Sequence, residues 1–252
     1  MRFSQVIFPV GLMLLAAAFV APNSTVDDSV DEVVEEPVFL KGKLRDRAFF
    51  QIEKRMGALS SVVATFEQEK HLALFKEPLL SEGQLLFSVP DHLRWESNKP
   101  FRSVLIVSGD QVAKFEKKGP LWRKLKQDRQ AELVLIVMDN IRSWFRGEFN
   151  QTKGGFWVEI AREPRPMIVM RPKDKLMART LDKIELLLSE NLTHVERVTI
   201  SEASGDKTVM KFTQIERAPS LDLDQKLFSL SNVIEIYARE LESKPVAVDK
   251  GK

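Results

Sequence analysis

The chain lacks cysteine altogether and has only three histidines in 252 residues. Without cysteine it has no disulfide, no thiolate nucleophile and no acylated cysteine that could anchor it to a membrane. The histidines, His71, His92 and His194, are far apart in the sequence, and none has an acid at the spacing of a metal site. We therefore predict no metal centre and no cysteine chemistry.

Motifs that identify common enzyme classes are also missing. The sequence has no Walker loop, no dinucleotide fingerprint and no serine in a nucleophile elbow. Glu67 and Glu69 share one face of a predicted strand, but alternating charges are ordinary on an exposed strand face. Asp222 and Asp224 stand in one short loop, which cannot supply all the oxygen ligands of calcium. We predict a protein that is not an enzyme and that uses no cofactor.

The first residues have the composition of a secretory signal peptide. Arg2 supplies the positive charge, residues 6–20 form an apolar run, and three alanines ending at Ala18 form a cleavage site. The alternative is a retained membrane anchor, but the run is short for a spanning helix and Pro9 interrupts it. We predict a signal peptide within residues 1–21 and an exported protein.

Charge is distributed unevenly along the chain. One base and six acids precede Lys41, which leaves 37 bases and 30 acids in residues 41–252, a formal charge of about +7. Residues 22–43 are predicted to form an acidic flexible linker, and residues 233–252 a polar tail. Nucleic acid is not an expected partner, because export separates the chain from it and the aromatic-basic strand motif is absent.

Apolar periodicity predicts a helix followed by an antiparallel sheet. A stripe of Phe49, Ile52, Met56 and Leu59 indicates a helix from Asp46, and a second helical segment is predicted over residues 128–146. A short apolar run at 226–230 ends the domain. The fold class is thus mainly antiparallel β with helices on one side of the sheet. About ten or eleven strands are predicted, at residues 62–71, 84–89, 93–97, 103–108, 112–116, 121–125, 156–161, 167–171, 180–188, 195–201 and 208–215.

Residues 83–111 form the central meander of this pattern. Leu93 and Trp95 share one face of a strand, whereas Arg94 and Glu96 share the other. The next strand is apolar on both faces at residues 104–107, so its second face either packs or lines an apolar cavity. The sequence leaves these two alternatives open.

A predicted hairpin after the meander is rich in bases. It is interpreted either as a docking patch for an anionic lipid surface or an acidic protein face, or as an ordinary solvated hairpin. The bases are Lys114, Lys117, Lys118, Arg123, Lys124 and Lys126.

Short motifs stand in a fixed order around the meander. They are ATFEQEK at 64–70, G-x-L-x-F from Gly83, LRWE at 93–96, Pro100 and LIVSGD at 105–110. In this order they resemble the periplasmic outer-membrane lipoprotein carriers, the LolA-like family. Residues 181–219 also resemble the closing strands of that family, so the resemblance extends over about residues 46–230.

The resemblance implies a half-open, incomplete β-barrel over residues 44–232, with an apolar concave side covered by lid helices. It implies a monomeric periplasmic carrier that ferries lipoprotein acyl chains, or a related lipid, from an inner-membrane transporter to an outer-membrane acceptor. Lacking cysteine, this chain would be the soluble carrier rather than the lipid-anchored acceptor. The first alternative is a periplasmic regulatory protein of the same fold that senses lipid or lipoprotein, and a more distant one is a hydrolase using the same cavity.

The cavity of such a carrier is expected to be lined by plain hydrophobic side chains, any one of which could instead be ordinary core. Family members often have an arginine before the meander proline that contacts the lid, and here that position is Val89. Arg94 and Arg102 are the candidates to replace that lid contact. The cavity candidates are Leu85, Phe87, Leu93, Trp95, Leu105 and Val107 in the sheet, and Val137, Met138, Ile141, Trp144 and Phe145 in the lid.

Overall fold

The structure is a computed structural model that describes residues 37–57, 61–109, 111–119, 121–125, 149, 155–218 and 225–229. The predicted signal peptide, most of the acidic linker, the second helical segment and the polar tail lie outside the described residues. The same is true of the five lid candidates, Val137, Met138, Ile141, Trp144 and Phe145.

The described residues form one twelve-stranded antiparallel sheet, one α-helix and two short 3-10 helices. Helix α1 spans Gly42–Met56, and the 3-10 helices span Met177–Arg179 and Gln225–Phe228. The strands are β1 Val38–Phe39, β2 Ser61–His71, β3 Leu79–Ser88, β4 His92–Lys99, β5 Ser103–Ser108, β6 Gln111–Lys118, β7 Leu121–Lys124, β8 Phe156–Glu163, β9 Met167–Pro172, β10 Leu181–Leu188, β11 Val195–Glu202 and β12 Lys207–Ala218.

Two meanders make up the sheet. Strands β2 to β7 pair in sequence order, as do β8 to β12, and the pairing of β12 with β2 joins the two sets. Strand β1 adds to the free side of β8, so β1 and β7 are the edge strands and the sheet is open. This arrangement is the predicted half-open antiparallel sheet.

The predicted strands are confirmed, and the structure adds one strand that was not predicted. Strand β1 is only two residues long and therefore carries no detectable period. Of the run predicted at 226–230, residues 226–228 belong to the second 3-10 helix. Helix α1 begins four residues earlier than predicted. Phe49, Ile52 and Met56 of the predicted stripe are buried as expected, and Leu59 lies outside the described residues. The helix ends with Lys54 and Arg55 in its last turn, where positive charge is favourable.

The glycine of the G-x-L-x-F motif has a packing reason. Gly83 pairs with Phe66 of β2, whose ring centroid lies 4.6 Å from that of Trp95. A Cβ at Gly83 would lie 2.7 Å from the Phe66 ring and 1.8 Å from the backbone oxygen of Glu96. Only glycine permits so close an approach of the ring and the neighbouring strand.

Candidate functional site

The six cavity candidates in the sheet lie on one face, which we call the inner face. In the strand register Phe87, Leu93 and Val107 follow one another across β3, β4 and β5. A second row next to it consists of Leu85, Trp95 and Leu105. None of the six side chains is more than 5% exposed. The sheet residues predicted to line the cavity are therefore brought together, and in this structure they are closed off from solvent.

Helix α1 contributes to the cover of the inner face. Its buried residues Phe49, Ile52 and Met56 belong to the same apolar cluster as the two rows. Just before the helix, the Leu40 amide donates to the Ile160 carbonyl at 2.8 Å. Near its end, the Arg55 guanidinium donates to the Asn191 carbonyl at 2.6 Å. The helix is thus tied to the sheet near both ends.

The inner face becomes polar toward the end of the sheet where β2 ends and β3 begins. Gln68 lies two residues beyond Phe66 on β2. Ser97 and Ser103 pair with each other in the next row beyond Trp95 and Leu105. These three polar side chains are each no more than 7% exposed. They were not among the predicted site residues, although the two-residue period already placed them on this face. The inner face is therefore apolar along the two rows and polar at this end.

Arg94 and Glu96 lie on the opposite, outer face, where they form a short charge-assisted hydrogen bond. Arg94 is 2% exposed and also donates through Nη1 to the Leu227 carbonyl at 2.7 Å. The 3-10 helix that supplies this carbonyl places Phe228, 1% exposed, against the His92 ring. The contact of Arg94 with the lid stays a prediction, because the predicted lid segment is outside the described residues.

The two alternatives for residues 104–107 are decided by the packing of β5. Leu105 and Val107 belong to the main cluster on the inner face. Val104 and Ile106 form a second buried cluster on the outer face with Ala113 and Phe115. Both faces of β5 therefore pack.

The remaining predicted residues surround this core. The Arg102 guanidinium lies 5.7 Å from the ring centroid of Trp122, close enough for a cation–π contact. Val89, where family members often carry arginine, packs against the main cluster. In the basic hairpin of β6 and β7, Lys114 forms an ion pair with Glu116 at 3.3 Å, and Lys126 is outside the described residues. The exposed members are Lys118, Arg123 and Lys124.

A shallow groove of about 430 Å³ lies away from the two apolar rows. It forms where the register of β12 shifts between Thr213 and Glu216, with Gln214 at a φ of 47°. No sequence signal predicted it. Its charged lining makes it a poor site for an acyl chain, so we place the candidate site on the inner face. The groove is lined by Leu187, His194, Glu196, Arg197, Lys211, Phe212, Thr213, Gln214 and Ile215.

The carboxylates considered for acid–base chemistry lie on the outer face. Partial burial raises the pKa of Glu69, but hydrogen bonds and charges from Lys211 and His71 outweigh it and leave that pKa below its usual value. Glu69 is thus an ion-paired carboxylate. Within the described ranges no three His, Asp or Glu side chains gather as a metal site would require. Nor does the described part of the chain contain a helix that is long and apolar enough to span a membrane.

Known proteins provide a separate comparison. Residues 58–231 match the family described as outer membrane lipoprotein carrier protein LolA. No curated protein matches the chain.

Several solved structures are similar in shape. A LolA superfamily protein from Nitrosomonas europaea is 8% identical, with 75% of this chain and 99% of that chain covered and a TM-score of 0.40. The structure of the Pseudomonas aeruginosa MucA/MucB complex is 14% identical, with 73% of this chain and 60% of that chain covered and a TM-score of 0.45. A putative outer membrane lipoprotein-sorting protein domain from Vibrio parahaemolyticus is 11% identical, with 75% of this chain and 97% of that chain covered and a TM-score of 0.39.

The family assignment depends on the family match and not on these distant likenesses. Membership supports a periplasmic protein that binds lipid or lipoprotein. Because the match extends over more than half of the chain, this protein belongs to the family of outer membrane lipoprotein carrier protein LolA.

Proposed function

We propose that this protein is a periplasmic carrier which shields the acyl chains of lipoproteins, or of a related lipid, against its inner face. It would accept them from an inner-membrane transporter, release them to an outer-membrane acceptor and catalyse no reaction. The observation that carries the proposal is the pair of apolar rows on the inner face, from Leu85 to Val107, which share one buried cluster with the apolar stripe of helix α1. The family supports cargo of this class.

The energetics of such a carrier are set by its competitor, the bilayer. Burying a methylene contributes about 0.8 kcal/mol, so one sixteen-carbon chain leaving water gains on the order of 12 kcal/mol. Three such chains would exceed the limit of non-covalent affinity, about 20 kcal/mol. Transfer from a bilayer to an apolar cavity is close to neutral in hydrophobic terms. The direction of cargo transfer must therefore come from the membrane partners and from the opening and closing of the helices over the inner face.

Loading requires the inner face to open, because its two rows are almost fully buried. Helix α1 is held by the hydrogen bond of Leu40 before its start and by that of Arg55 near its end. Cargo that takes the place of Phe49, Ile52 and Met56 would cover the same apolar surface of the sheet that the helix covers. The second helical segment, with Trp144 and Phe145, is proposed to share this role.

A first experiment identifies the cargo. The protein is purified from its own periplasm and analysed by native mass spectrometry with lipid extraction. We expect a bound lipoprotein or lipid with at least one acyl chain. A folded protein that is always empty would favour the regulatory alternative instead.

A second experiment locates the cargo with two matched phenylalanines. Phe87 on the inner face and Phe115 on the outer face are 2% and 1% exposed, respectively. Each is replaced in turn by the photoreactive p-benzoylphenylalanine and irradiated in cells. We expect lipoprotein or lipid adducts from position 87 and none from position 115. Equal adducts from both positions, or adducts from 115 alone, would exclude the inner face as the cargo site.

A further inference from the structure

One end of the sheet exposes large apolar side chains at successive connections. Because the pairing is antiparallel, the β2–β3, β4–β5, β6–β7, β9–β10 and β11–β12 connections all lie at this end. We call it the loop rim and define it as residues 72–80, 99–102, 117–119, 121, 173–180 and 203–207. Its exposed apolar side chains are Leu74 at 93%, Phe75 at 63%, Leu80 at 64%, Phe101 at 40%, Leu121 at 60% and Leu176 at 38%.

Hydrogen bonds fasten the connections of the loop rim to one another. The Ala73 amide donates to Asp206 Oδ1 at 2.8 Å, which ties the β2–β3 connection to the β11–β12 turn. The Ala203 amide donates to the Thr180 carbonyl at 2.8 Å, which ties that turn to the β9–β10 connection. The Lys117 amide donates to the Arg102 carbonyl at 2.9 Å. The apolar tips are therefore presented from loops that are already ordered.

The loop rim carries more positive charge than the turns at the opposite end of the sheet. The loop rim contains nine bases and three acids, with Lys76, Lys118 and Lys207 among the exposed bases. Its Lys173 ammonium lies 4.9 Å from the ring centroid of the adjoining Trp157, which is 64% exposed. At the opposite end, the turns 89–91, 164–166 and 189–194 contain one base and two acids and expose no large apolar side chain, although Val38 of β1, which pairs with Glu163 beside the second of these turns, is 59% exposed.

We propose that the loop rim docks on the surface of an anionic lipid bilayer. Apolar tips such as Leu74 and Phe75 would enter the interfacial region, and the surrounding bases would bind lipid phosphates. Exposed apolar side chains in a basic setting fit a bilayer interface, whereas an acidic protein face would account for the bases alone. The docking concerns where the protein meets a membrane and does not depend on the identity of its cargo.

Vesicle flotation tests the docking. Vesicles of phosphatidylglycerol with phosphatidylethanolamine are compared with vesicles of phosphatidylcholine alone. We expect binding to the anionic vesicles that weakens at high salt, because exposed charges are screened. The variant Leu74→Ser/Phe75→Ser should bind at least about tenfold more weakly, since it loses the burial of two large apolar side chains.

Helix α1 provides a matched control for the loss of apolar surface. Leu44 and Phe50 are 64% and 66% exposed but lie outside the loop rim. The variant Leu44→Ser/Phe50→Ser should float like the unchanged protein. If the two double variants float alike, the loop rim is not the docking surface.

The absence of cysteine allows insertion to be measured at single positions. Phe75→Cys and Phe50→Cys are each labelled with an environment-sensitive dye. On anionic vesicles we expect a blue shift at position 75 and none at position 50.

Two further results would overturn the proposal. One is a folded protein that binds neither kind of vesicle, which would leave the loop rim to an acidic protein partner. The other is a dye at position 75 that stays in water while the protein floats. Cargo adducts from position 87 are a separate readout, so a failure of docking is distinguishable from a failure of the carrier function.

Discussion

Both faces of β4 and β5 bury large side chains, but Trp95 and Arg94, which lie on opposite faces, are held by different interactions. On the inner face, Trp95 is 4% exposed and packs in a large apolar cluster shared with α1. On the outer face, its neighbour Arg94 is 2% exposed and is held by Glu96 and the Leu227 carbonyl. Burial alone therefore does not identify a binding face. The two faces differ instead in the chemistry of the groups that cover Trp95 and Arg94.

This difference predicts which face can open, that is, which packed segment can leave the sheet. An apolar cover can be exchanged for an acyl chain at little cost, because both bury similar apolar surface. The cover of the outer face completes a buried ion pair, and its removal would leave Arg94 without the Leu227 carbonyl. We therefore expect the inner face to open and the outer face to stay closed.

The largest effect is expected from Trp95→Ala on the inner face. It removes a buried ring that packs on Phe66, and we expect a loss of about 3–5 kcal/mol in the free energy of unfolding. Urea unfolding measures this change in the free energy of unfolding. The control Phe101→Ala removes an aromatic ring that is 40% exposed and should change stability by less than about 0.5 kcal/mol. Similar losses in both variants would mean that the inner face is not the main core.

A smaller loss is expected from Arg94→Met on the outer face. Glu96 keeps 18% exposure, so losing its partner should cost about 2–4 kcal/mol, somewhat less than for a fully buried pair. The 3-10 helix should also loosen, and trypsin should cleave faster after Lys226 than in the unchanged protein.

The double variant Arg94→Met/Glu96→Leu sharpens this comparison. It removes both charges together, so it should recover part of the stability lost in Arg94→Met. If instead the loss in the double variant equals the sum of the losses measured for Arg94→Met alone and Glu96→Leu alone, the pair is not what holds the outer face.

The smallest effect is expected at an exposed ion pair of the outer face. Glu69 has a lowered pKa in the folded protein, so its contribution to stability is present above its ordinary pKa of about 4.5 and is lost as the pH falls through the lowered value. Its side chain is 35% exposed, and Glu69→Gln should cost only about 0.2–1 kcal/mol at pH 7. Unfolding curves at pH 7 and pH 3 measure it: the difference in stability between the unchanged protein and Glu69→Gln should be smaller at pH 3 than at pH 7.

Much of the fold could be predicted from local patterns. The two-residue period placed Leu93 and Trp95 on one face and Arg94 on the other, as the structure shows. The missed strand β1 has two residues, too few for a period, and is defined by its pairing with β8. The same period placed the six sheet candidates for the cavity on one face, where the structure buries them. The polar end of the inner face at Gln68, Ser97 and Ser103 was not predicted, because small polar side chains on a strand are usually exposed and only the tertiary packing buries these three.

By itself, the sequence determined the strands, the turns between them and the face on which each side chain lies, because these depend on neighbours only a few residues apart. Tertiary structure decided what covers each face and which loops stand side by side. Arg94 meets the Leu227 carbonyl across 133 positions of sequence, and Ala73 meets Asp206 across another 133. Such contacts depend on the pairing of β12 with β2, which no local pattern encodes. That pairing brings the β2–β3 and β11–β12 connections of the loop rim side by side.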